Sequence, residues 1–122
     1  MERNIADLID EIKQHPDYSK AGMILCHNGV VREASREGDA VSGLKIRVDH
    51  DRLKQVLENQ KQMPGIIDIL IHIFEDRDLV VGDDVMYLLV AGDIRENVLA
   101  CMADTLNRIK KEVTFKTQFF ID

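Results

Sequence analysis

The chain predicts a single α+β domain over residues 1–122, built on a mixed, largely antiparallel sheet. Three observations carry that expectation. Three stretches place apolar residues at helical spacing, and five place them in alternation or in short apolar runs bounded by turn residues. The two kinds interleave as α-β-β-α-β-β-α-β, without an internal repeat, a low-complexity tract or a second domain.

The first helix covers residues 4–14, where Ile5, Leu8, Ile9 and Ile12 share a face, Asn4 is the N-cap and Pro16 the stop. His15, Pro16, Asp17 and Tyr18 make a polar turn. From Ala21 to Arg32, AGMILCHNGVVR reads as a strand interrupted near Asn28-Gly29. Residues 33–41, EASREGDAV, are polar and aperiodic, a loop expected to be mobile in the free protein. In GLKIRVD, Leu44, Ile46 and Val48 alternate with Lys45, Arg47 and Asp49, which describes a strand with one wet face.

Asp49 or Asp51 then caps a second helix carrying Leu53, Val56, Leu57 and Gln60, closed by Pro64-Gly65. IIDILIHIF, residues 66–74, is apolar nearly throughout and reads as a central strand covered on both faces; the acidic EDRD that follows is a solvated turn. Another apolar strand follows Gly82-Asp83. Asp93 is the expected cap of a third helix with Val98, Leu99, Met102, Leu106 and Ile109 buried, and VTFKTQFF is a last strand with Val113, Phe115 and Thr117 on one side.

Composition narrows the function classes. Lys plus Arg number 16 against 22 Asp plus Glu, a formal charge of −6, which disfavours nucleic acid and anionic membrane surfaces as partners. Cys26 and Cys101 form no CxxC pair, no apolar run reaches the ~18 residues of a membrane span, and the amphipathic, acidic MERNIADLIDEIK is unlike a signal peptide. A reduced, cytoplasmic setting is expected. His27, His50 and His72 fall on separate elements without a partner at ligand spacing, so no metal site and no cofactor is expected. Cys26 and Cys101 read as small hydrophobes, and His72, inside an apolar strand, as a hydrogen-bonded interior or interface histidine. GxSxG, GxGxxG and phosphate-loop motifs are absent.

Against that acidic background the last third gathers cations. Arg95 opens the third helix, Arg108, Lys110 and Lys111 end it, Lys116 lies on the strand beyond, and Arg32 ends the first strand. Two readings stand side by side. Lysines at a helix C-terminus complement its unpaired carbonyls, and Arg95 beside Glu96 or Arg32 beside Glu33 is an ordinary surface ion pair. Alternatively, these side chains line a site for an anionic substrate, which Arg95 at a helix N-terminus would strengthen.

The ordered fragments resemble the large, catalytic subunit of molybdopterin synthase. NGVVRE at 28–33 resembles that family's GxVR strand end, LVVGDDVMYLLVAGDIRENVLA at 79–100 its L-x-x-GD-x-x-V strand and Ser-His-Arg-led helix, and DTLNRIKKEVTFK at 104–116 its helix ending in lysine followed by Pro-Ile-Trp-Lys. The resemblance spans about residues 21–118. It implies an α/β hammerhead fold and a homodimer that joins two copies of a small ubiquitin-like sulfur carrier in a heterotetramer. The implied reaction moves two sulfurs from the carrier's thiocarboxylated C-terminus to cyclic pyranopterin monophosphate in molybdenum cofactor biosynthesis. By position, Lys110 would be the principal catalytic lysine and Lys116 the second, with Arg32 and Arg95 binding the pterin phosphate or the carrier terminus. All four are expected to converge on one electropositive pocket completed across the dimer.

Three departures accompany the resemblance: Ile94 stands for the family's histidine, Val113-Thr114-Phe115 for Pro-Ile-Trp, and Gln118 for an acidic residue. The interval from Lys110 to Lys116 is one residue shorter than usual, which leaves Lys111 an alternative to Lys110. A non-catalytic relative acting as a binding or regulatory module is therefore the second function class.

Overall fold

The computed structural model describes residues 2–121. Its elements are α1 (Ile5–Lys13), β1 (Met23–Val30), β2 (Val41–Val48), α2 (His50–Gln60), β3 (Ile66–Ile73), β4 (Leu79–Val80), β5 (Asp84–Gly92), α3 (Arg95–Glu112) and β6 (Thr114–Phe120), with one short 3-10 turn at Tyr18–Lys20. The α+β class holds. The strands form two three-stranded sheets, ordered β1-β5-β3 and β4-β2-β6, and every strand pair among the described residues is antiparallel.

The first two helices start as their sequences dictate. Asn4 accepts the Asp7 N–H through Oδ1 while Asp7 accepts the Asn4 N–H, a reciprocal box that satisfies two otherwise free donors. Asp49 Oδ1 accepts the Arg52 N–H at 3.0 Å. Helix α3 differs from expectation: its N-cap is Ile94, and Asp93 sits one residue earlier, accepting from the Ile94 N–H and the Asn97 amide.

Four further expectations are corrected. The central strand of the first sheet is β5, whose Leu88, Leu89, Val90 and Ala91 are all fully buried; because successive residues point to opposite faces, both faces must be covered. IIDILIHI, as β3, is an edge strand in which only Ile69 is fully buried. The two-residue β4, too short to show a period, adds an edge to β2. In α3, Leu99 is 48 % exposed while Cys101 and Thr105 are buried, and Val113 ends the helix instead of joining β6, leaving Phe115 49 % exposed. The interruption expected in β1 is a bulge between Gly29 and Val30.

Helix α3 is anchored to α2 by a polar network. Gln60 Nε2 donates to Thr105 Oγ1 at 2.9 Å and to Asp104 Oδ2 at 2.8 Å, while its Oε1 accepts from Arg108. Arg108 and Arg52 both engage Glu112, and the Arg108 guanidinium, followed by that of Arg52, holds the Glu112 carboxyl down at about 2. Residues two apart on a helix are separated by ~200°, so pinning Arg108 and Glu112 to α2 turns Lys110 to the other side.

Candidate functional site

Two hollows open side by side where β1, β2, β6 and the end of α3 meet. One, of about 510 Å³, is rimmed by Arg32, Arg36, Lys116 and Gln118. The other, of about 590 Å³, has an apolar floor that includes Ile46, Ile73, Met86, Leu106 and Ile109, with His27, Lys110, Lys116 and Arg36 on its rim. Arg36 and Lys116 border both, so the hollows form one depression with a polar and an apolar compartment.

Each rim cation is placed by local structure. The Val31 N–H donates to Asp83 O and its carbonyl accepts from Gly82 N–H, both at 3.0 Å, so the end of β1 is tied to the turn before β5 and Arg32 leaves from a fixed point. Lys116 stands opposite Ile46 in the β6–β2 ladder. Lys110 follows Leu106 by one helical turn and shares its inward face. Lys111 does not line the depression, so the geometry selects Lys110 of the two adjacent lysines.

Among the described residues, none of Arg32, Arg36, Lys110 and Lys116 makes an ion pair. Burial pushes the Lys116 ammonium below its ordinary range, and the charges of Lys110, Arg36 and Arg32 push it further; Glu37 opposes the shift. Burial also lowers His27, favouring its neutral imidazole beside these cations. The site is thus short of negative charge in a chain of net charge −6. Cations around an apolar lining suit an anion that also carries an apolar surface.

Arg95 does not join this group within one chain. It precedes Lys110 on the same helix by an axial distance of about 22 Å, its side chain is 75 % exposed, and it lies 3.8 Å from Glu96. Sequence reading missed His27 and Arg36. His27 was set aside with the metal-ligand candidates, although its place two residues before Gly29 on β1 puts both on the face that borders the depression. Arg36 fell in a polar loop, whose only signal was its nearness to Arg32.

The remaining candidates separate. The described residues contain no group of three or more His, Cys, Asp or Glu able to hold a metal. His72 meets Phe74 edge-on and lies roughly parallel to Tyr87, and its buried Nε2 has no hydrogen-bond partner among the described residues, contrary to expectation. Cys101 is buried, whereas Cys26 is exposed, so the small-hydrophobe reading fits only the former. His50 pairs with Glu75 on the surface. No helix among the described residues is long and apolar enough to cross a membrane.

Residues 2–112 match the family described as MoaE protein. Comparison with curated proteins gives no match. Among solved structures, the chain is similar to molybdopterin synthase from Staphylococcus aureus, with TM-score 0.71 and 21% identity over 84% of this chain and 77% of that one. The MoaE protein of Burkholderia ambifaria MC40-6 gives TM-score 0.74 and 15% identity over 98% and 84% of the two chains. The complex of subunits 1 and 2 of the molybdopterin-converting factor from Helicobacter pylori 26695 gives 0.69 and 14% over 98% and 85%. At such identities these structures show a shared fold.

Proposed function

The chain belongs to the MoaE protein family, and on that premise we propose that it is the large subunit of a molybdopterin synthase, acting in molybdenum cofactor biosynthesis by transferring sulfur to cyclic pyranopterin monophosphate. The observation that carries the reading is the placement of Arg32, Lys110 and Lys116, without ion-pair partners among the described residues, around one depression with a polar and an apolar compartment. The pterin ring lies over the floor and its cyclic phosphate meets the rim. Lys110 stabilises the negative charge that moves as the thiocarboxylate sulfur bonds to a ring carbon in place of an oxygen substituent and water then cleaves the carrier's C–S bond to leave a carboxylate; Lys116, its ammonium made less favourable by burial and by neighbouring cations, assists.

The sulfur donor is a small carrier protein with a thiocarboxylated C-terminus. A solved relative is itself a complex of two subunits of a molybdopterin-converting factor, which supports a two-component system here. Self-association completes the site. Ile94, 53 % exposed, and Arg95 gain a role only if a second copy brings them to the lysines, while Phe115, Phe119 and Phe120 expose apolar surface that association would cover.

One observation favours the non-catalytic alternative. Gln118, where the resemblance expects an acidic residue, lines the same compartment as Lys116, so that acid–base group is missing from the site itself. The two readings part on one assay: thiocarboxylated carrier and cyclic pyranopterin monophosphate mixed with this protein, with the dithiolene product followed by mass spectrometry. Catalytic formation of product supports the synthase; carrier binding without product would establish the binding module.

A further inference from the structure

We infer that Arg36, which family resemblance does not assign to the site, is a substrate-phosphate ligand that sets the affinity for the anionic substrate. The inference rests on the reading of the depression as the site of a phosphate-bearing substrate. Two observations motivate it. Arg36 and Lys116 are the cations that border both compartments, so an anion seated at the junction lies between them. The turn that carries Arg36 is also built rather than loose.

Ser35, 4 % exposed, closes that turn: its N–H donates to Asp39 O at 2.8 Å, its carbonyl accepts from Gly38 N–H at 3.0 Å, and its Oγ accepts from Asp39 N–H at 3.1 Å. Gly38 takes a φ of +91°, a conformation that side chains other than glycine's rarely adopt. The Ala34–Ala40 bridge and the Val41 N–H to Glu33 O bond at 2.9 Å extend the closure toward β2. Arg36 is therefore presented from a hydrogen-bonded tip at the mouth of the depression. It has no ion-pair partner among the described residues, and its charge reaches Lys116 strongly enough to lower that ammonium's pKa; Glu37 is the carboxylate acting in the opposite sense.

A planar guanidinium grips two phosphate oxygens at once, whereas an ammonium offers a point charge. Arg36 thus supplies phosphate recognition beside lysines that serve the sulfur chemistry. The inference is tested by steady-state sulfur transfer with the complete two-component system, comparing wild type with Arg36→Ala, Arg36→Lys and the remote charge control Lys54→Ala. Arg36→Ala raises KM for the pterin phosphate about tenfold, the scale of a lost charge-assisted contact, and shifts KM for the carrier by less than about twofold. Arg36→Lys recovers part of the loss, and Lys54→Ala recovers the wild-type value. An unchanged pterin KM, or an equal rise for both substrates, would overturn the assignment while leaving the synthase reading intact. If wild type fails to turn over, the synthase reading falls, and NMR titration with inorganic phosphate judges Arg36 alone. Saturable shifts of the Arg36 Nε–H signal, absent from Arg36→Ala, uphold it; no shift overturns it.

Discussion

The two ends of α3 are built to different standards. At its C-terminal end, Arg52, Arg108, Glu112 and Gln60 tie the helix to α2, and Lys110 is turned onto an apolar depression shared with Lys116. At its N-terminal end, among the described residues, no side chain caps the helix, Ile94 is 53 % exposed, and Arg95 pairs with its neighbour Glu96 alone. One end is finished within the chain and the other is not. Ion pairs as open as Arg95–Glu96 contribute little to stability, so that end has no evident stabilising task in a single copy. The contrast is what the proposed function requires: each terminus of the helix would carry half of a site, and the halves would meet when two copies associate.

Removing the chemistry from the finished end gives the largest expected effect. Lys110→Ala drops sulfur transfer below about one hundredth of wild type, the scale of losing a group that stabilises moving charge, while stability changes by less than about 1 kcal/mol; turnover assays and thermal melts check both. Wild-type turnover in that variant would make the finished end merely structural. Next comes the clamp. Glu112 sits at about 2, below its ordinary 4.5, so its stabilisation is fully present above that ordinary value and is lost as pH falls toward 2. Glu112→Gln lowers the melting temperature at pH 7 and flattens the acid limb of the stability profile. An acid limb identical to wild type would mean the clamp does not hold the helix end.

A smaller effect is expected at Lys116, with the opposite sign. Its pKa is lowered by folding, so the folded state holds its proton less readily than the unfolded chain, and stability rises as pH passes from below the folded pKa to the ordinary value of 10.5. Lys116→Met therefore melts slightly higher than wild type at pH 7, and the gain disappears above about 10.5. Melts across that range measure the difference; a variant less stable than wild type at pH 7 would show that burial and neighbouring cations do not disfavour the Lys116 ammonium.

How much of this was legible follows from where each signal lives. Alternation made β2 readable, since Leu44, Ile46 and Val48 are buried while Lys45 and Arg47 are not. The same logic failed for β3, because an apolar run states that a strand is covered and not that another strand lies on each side; a central position depends on pairing, which no local pattern encodes. Lys110 and Lys116 were nameable from resemblance, but choosing Lys110 over Lys111 needed the helix rotation that the Glu112 clamp fixes. Arg36 was illegible, because its position depends on hydrogen bonds within a loop that looks merely polar. Arg95 was placed on the right helix end, and the fold adds that within one chain this end lies about 22 Å along the axis from Lys110, so the expected pocket requires a second copy.

Complementation tests the central claim most directly. Arg95→Ala and Lys110→Ala proteins, each inactive alone, are dissociated, mixed in equal amounts, reassociated and assayed for sulfur transfer. If the two helix ends meet across a dimer, half of the dimers are mixed and each restores one of two sites, so activity returns to about a quarter of wild type. Activity no greater than that of the separate variants, with mixed dimers verified by mass spectrometry, would contradict the shared site.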